Sequence, residues 1–154
     1  MNLPKSFTAV AGKYGIKKEE IIFAAMADFD DQYRFADSIV ALTKQKLLLA
    51  VYPYREKAEY RFGGYGGWQF TENGQSAEKG SSAHARSGEA AMTEEPALQI
   101  FELETIGKTE VLRQVAAGVL MAEIDGVERN LCHFSNTKME MFLRLCKLCE
   151  KVKK

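Results

Sequence analysis

Gly118-Val-Leu-Met-Ala-Glu-Ile-Asp125-Gly126-Val-Glu-Arg-Asn-Leu-Cys-His-Phe134 reads as two strands folded back on each other at Asp125-Gly126. A type I′ turn needs positive φ at both central positions. Asp-Gly between alternating apolar residues is therefore among the strongest short-range hairpin signals. With a two-residue loop Ile124 faces Val127 and Leu120 faces Leu131, which predicts one apolar face. The other face sets Glu123 against Glu128, a like-charge pair that only solvent tolerates.

Downstream, Thr137-Lys-Met-Glu140 matches a capping box and predicts a helix over 137–154. Phe142, Leu145, Cys149 and Val152 recur at helical spacing, with Met139 and Cys146 flanking them. Lys147, Lys151, Lys153 and Lys154 stand where the helix dipole favours cations. The apolar stripe has to be covered, and the strands upstream are what can cover it.

Those strands are read at Ile21–Ala27, Ser38–Thr43, Leu47–Tyr52, Ala58–Phe62 resuming at Trp68–Phe70, Leu98–Ile106 and Thr109–Val115. Leu98 and Ile100 share one parity and Phe101 and Leu103 the other, a phase change that a bulge would reconcile. Residues 1–18 form a lead-in, with a short helix from Pro4 to Ile16 that ends near Gly15. Residues 71–96, rich in Gly, Ser, Ala and Glu, cannot bury enough surface to offset ordering entropy and read as a flexible insertion. The whole, 1–154, is one α+β domain.

Lys plus Arg equals Asp plus Glu at 21 each, so there is no basic surplus to displace counterions from nucleic acid. No apolar run approaches the ~20 residues that span a bilayer, and no signal-peptide pattern opens the chain. A cytoplasmic location is the expectation. The three cysteines make no disulfide framework and read as reduced core residues.

Each chemical motif has a plainer reading. Cys146-Lys-Leu-Cys149 lies deep in a helix rather than at its N-terminus, where a redox thiol belongs, and zinc would need Cys132 and His133 as well. Asp28-Phe-Asp30-Asp31-Gln32 opens like a calcium loop, but Tyr33 takes the place of the turn glycine and Ile39 that of the bidentate Glu. Gly63-Gly-Tyr65-Gly-Gly67 ends in Trp68 rather than Lys-Ser/Thr, so it is no P-loop. His84 and His133 have no nucleophile motif beside them. Catalytic, cofactor and metal residues are accordingly expected to be none. The candidate partner-binding residues are Tyr65 and Trp68, types enriched at interfaces, together with Lys147, Lys151, Lys153 and Lys154 as a basic patch close to a membrane surface.

The Leu42-Thr43-x-x-Lys46-Leu47 turn, Phe134-Ser135-Asn136 and the terminal helix resemble a pleckstrin-homology-like domain. More narrowly, Leu3-Pro-Lys-Ser-Phe7, Arg34-Phe-Ala-Asp37 and His133-Phe-Ser-Asn136 resemble a cytosolic N-terminal domain of some bacterial ATP-binding-cassette transporters. The resemblance implies an antiparallel barrel or sandwich of about seven strands, one end plugged by the helix. It also implies a non-catalytic docking or regulatory domain, its partner a protein or the transporter's own domains, lying on the inner face of the cell membrane if fused to transmembrane segments. Lipid-binding members carry basic residues after the first strand. Here that loop, Asp28–Arg34, is acidic, which disfavours phosphoinositides. The alternatives are a lipid or small-ligand carrier using the barrel interior and, last, a hydrolase-type enzyme using Asp28, Asp30 or His133.

Overall fold

A computed structural model describes residues 2–29, 35–53 and 94–154. The elements in chain order are α1 (Lys5–Lys13), β1 (Phe23–Phe29), β2 (Phe35–Leu42), β3 (Lys46–Val51), β4 (Ala97–Glu102), β5 (Ile106–Arg113), β6 (Ala117–Ile124), β7 (Val127–Ser135) and α2 (Met139–Lys153). Short 3-10 turns precede β1, β5 and α2. The strands form one antiparallel seven-stranded sheet in the order β4-β3-β2-β1-β7-β6-β5.

The edge strands β4 and β5 are joined by a corner of only three residues, Leu103–Thr105. Opposite edges of a sheet meet at so short a connection only if the sheet curls. Arg129 of β7 also reaches Gln99 of β4 at 3.4 Å and lies over the Phe101 ring. No ladder links β4 to β5 among the described residues, so the sheet is curled but not closed.

The Asp-Gly turn forms as read: φ is 53° at Asp125 and 81° at Gly126, with Ile124 opposite Val127 and Glu123 opposite Glu128. Leu120 instead pairs with Cys132, because a bulge after it leaves Leu131 as an extra residue. The bulge lets Leu131 and Cys132 both enter the core, at 2% and 0% exposure. Val127, past the end of that core, is exposed.

The inner face packs against α2. Val40, Leu42, Leu47, Leu49, Phe134 and the helix residues Phe142 and Leu145 share one cluster. The Phe134 and Phe142 rings stack at 4.0 Å. The outer face of β1–β4 has its own cluster, in which Ile39, Ala41, Leu48 and Ala50 meet Phe7 and Ala11 of α1. This resolves the phase change in β4 without a bulge. Leu98 and Ile100 pack against the outer cluster and Phe101 against the inner one, and Leu103 reaches the inner core from the 3-10 corner.

α1 ends in a Schellman motif. Gly15 at φ 78° lets its own N–H reach Gly12 O and the Ile16 N–H reach Ala11 O. The Ser6 hydroxyl and the Tyr52 hydroxyl, 2.7 Å apart, tie the helix to the end of β3.

The capping box does not form. Thr137 sits in the 3-10 turn, its hydroxyl 2.9 Å from that of Ser135, and α2 starts at Met139 with no side-chain cap. Asp28 of β1 takes up the polar groups there, accepting the Ser135 N–H at 3.4 Å and the Lys138 ammonium. Of the expected insertion 71–96 only 94–96 are described, and the strands read at 58–62 and 68–70 lie outside the described residues. No helix among the described residues is long and apolar enough to cross a membrane.

Candidate functional site

Three separate stretches build a cleft of about 590 Å³ at one end of the sheet. The first is the β2–β3 turn. Thr43 folds it locally: its hydroxyl accepts the N–H groups of Gln45 at 3.2 Å and Lys46 at 2.9 Å, which turns Lys44 and Gln45 into the cleft. The second is the Leu103–Thr105 corner, fixed from both sides. The Leu103 N–H reaches Gln45 O and the Asp125 N–H reaches Thr105 O, each at 2.9 Å. The third is the last turn of α2, which contributes Val152 and Lys153.

The cleft has an apolar floor and a charged rim. Leu103, Ile106 and Val152 form the floor. Lys46 pairs with Glu102 at 2.7 Å on the rim, a half-exposed bridge worth at most about 1 kcal/mol. Lys153 is tied down, donating to Gly107 O at 2.9 Å and to Glu150 at 3.3 Å. Among the described residues Lys44 and Glu104 take part in no ion pair.

The expected lysines thus divide. Lys153 lines the cleft and spends its charge within the fold, whereas Lys147 and Lys151 of α2 and Lys154 just past its end are exposed at spacings of four and three, along one stripe of the helix surface. Tyr65 and Trp68 lie outside the described residues, as do Asp30, Asp31 and His84. Lys44, Gln45 and Glu104 were missed from sequence. Each sits in a turn with no local signal, and only the tertiary meeting of two turns and a helix end makes them neighbours.

The groups weighed for catalysis are engaged in structure. Asp28 serves the start of α2, and His133 is 4% exposed on β7. Burial raises all three thiols. Cys132 is pushed up strongly, with Asp28 adding to it. Cys146 is pushed up to about 11, first by burial. Cys149 is raised by burial against the partial relief of Lys153. The buried Thr109 hydroxyl lies beside Cys146 and Cys149 and eases both, although it makes no hydrogen bond of ordinary geometry. Protonated buried thiols are poor nucleophiles. Among the described residues no three His, Cys, Asp or Glu side chains are grouped to hold a metal.

No protein-family model, curated protein or solved structure matches the chain.

Proposed function

We propose that the chain is a pleckstrin-homology-like docking domain that performs no catalysis and serves as a cytosolic accessory domain of a membrane transporter. The observation that carries the docking reading is the cleft. It is concave, with an apolar floor, a rim of both charges and a backbone frame fixed by hydrogen bonds on two sides. That combination suits seating a side chain and orienting the polypeptide that bears it. The curled antiparallel sheet with a single closing helix across its inner face supports the scaffold part of the reading.

A carrier using the interior is less well supported. Phe134, Phe142 and Leu145, each no more than 2% exposed, fill the inner face where cargo would sit.

The test is a selection from a phage-displayed random peptide library, followed by amide chemical-shift mapping with the winning synthetic peptide. Shifts at Lys44, Gln45, Glu104 and Val152 are expected. Selected peptides that leave those amides unmoved, or a selection with no winner, would remove the docking reading. The transporter context is tested in the reading frame beyond Lys154. Apolar spans of ~20 residues followed by a nucleotide-binding motif are expected, and a frame without them refutes it.

A further inference from the structure

We propose that the outward side of α2 is a contact surface for an anionic lipid bilayer. It does not depend on the docking reading above, because Val152 and Lys153 turn toward the cleft and the contact surface lies on the other side of the helix. Arg144, Lys147, Lys151 and Lys154, the last just past the helix end, follow at spacings of three, four and three. That spacing sets four exposed cations in one row over about 15 Å. Among the described residues none of the four takes part in an ion pair. The Arg144 guanidinium lies over the Phe23 ring at 5.4 Å, a partner that leaves its charge uncancelled. The carboxylates of the elements packed here are spent elsewhere. Glu150 pairs with Lys153, Glu110 of β5 with Lys108 and Asp28 of β1 with Lys138. Glu104 lines the cleft, on the Val152 side. Glu140, near the start of α2, is the one acid of the helix on the outward side.

Neither composition nor folding asks for this row. The chain as a whole is neutral. Like charges three and four apart on a helix repel, so the row weakens the helix that carries it. The helix dipole favours cations in the last turn, which accounts for Lys151 and Lys154 but not for Arg144 or Lys147. Shape then selects the occupant. The row runs along the convex outside of a helix, and Met141 and Leu143 flank it, one on each side, at 39% and 38% exposure. A broad anionic surface is met by cations spread over such a face, with flanking apolar groups adding contact. An acidic peptide needs a groove to hold its side chains. Nucleic acid is disfavoured by the missing basic surplus of the chain.

The experiment floats the intact chain with two kinds of vesicle, phosphatidylcholine alone and phosphatidylserine-rich. Binding is expected to the second and not to the first, and it should fall as salt is added. Lys147→Gln combined with Lys151→Gln should weaken it about tenfold or more with unchanged melting temperature. Met141→Ser combined with Leu143→Ser should weaken it only a few-fold. Lys44→Gln, on the rim of the cleft, should leave it as it was. No binding to the phosphatidylserine-rich vesicles, or binding that survives the double lysine change, would overturn the proposal. So would an equal loss with Lys44→Gln, which would move the contact to the cleft. The last probe is labelled poly-glutamate. Lysine-dependent binding of it as tight as that of the vesicles would assign the row to an acidic protein partner instead. Failure on all of these would leave the docking reading intact, since the cleft lies on the other side of the helix.

Discussion

The two halves of the sheet are built to different rules. β2 and β3 are buried on both faces. Val40, Leu42, Leu47 and Leu49 meet α2 on one side, and Ile39, Ala41, Leu48 and Ala50 meet α1 on the other. Their sequences are accordingly near-continuous apolar runs such as Leu47-Leu-Leu-Ala-Val51. β5–β7 contribute to the inner cluster alone. On their outer face Val119 and His133 are buried, but Leu112 is 40% exposed, and Lys108, Glu128 and Asn130 are exposed too. One nine-residue helix accounts for the difference. An antiparallel sheet tolerates one wet face, and adding α1 to half of it turns that half into a three-layer structure.

The largest test of this contrast is a matched pair on the outer face. Leu48→Ala should cost about 2–5 kcal/mol in urea unfolding, as for a fully buried leucine. Leu112→Ala should stay within about 0.5 kcal/mol of the parent. Equal losses would mean that the outer face of β5–β7 is covered too.

A smaller effect checks that the inner face is equally dense in both halves. A Cβ added at Gly118 of β6 would stand 2.5 Å from Cε2 and 2.7 Å from Cζ of Phe134, in the stack with Phe142. Gly118→Ala should therefore cost about 1–3 kcal/mol and alter the near-ultraviolet circular dichroism of the phenylalanines. A neutral result would show that the stack has slack.

The smallest effect separates the halves by pH. Cys146 packs inside the β5–β7 half with a folded pKa of about 11 against an ordinary 9.0. Because the folded state holds this proton more tightly, its contribution is complete below pH 9 and is lost as pH climbs to about 11. Tyr52, in the β1–β4 half, is also raised by burial, but from 10.0. Chemical denaturation across this range should show a decline beginning near pH 9 that Cys146→Ala makes shallower, the raised Cys132 and Cys149 thiols sustaining the rest. Tyr52→Phe should leave the interval between 9 and 10 unchanged. A decline that Cys146→Ala leaves intact would assign it to other groups.

Local chemistry was legible where a few adjacent residues decide the geometry. Asp125-Gly126 declared its turn because both positions require positive φ. Gly15 marked the end of α1 for a related reason, a left-handed residue closing the Schellman motif. The stripe of Phe142, Leu145 and Cys149 faced the strands as its spacing required. The bulge at Leu131 was not legible, because the apolar pattern is satisfied by either register and only the packing against α2 selects one. Nor was the failure of the capping box, since Thr137 had a nearer partner in Ser135 and Asp28 arrived from a strand more than 100 positions away. The cleft lay beyond sequence altogether. Its residues are ordinary turn and helix-end types until the curl of the sheet assembles them.

The seam between β1 and β7 carries a kinetic consequence. It sits mid-sheet, yet it joins the first strand to the last, and among the described residues its register is the pair Phe29 with His133. β1–β2–β3 and β5–β6–β7 are meanders of short hairpins whose loops close early, whereas β3 and β4 are separated by residues 52–96 and the seam requires ends about 100 residues apart to meet. The two meanders should therefore zip independently and dock last. Amide exchange under native conditions would register that order as a cooperative opening along β1 and β7, ahead of either meander.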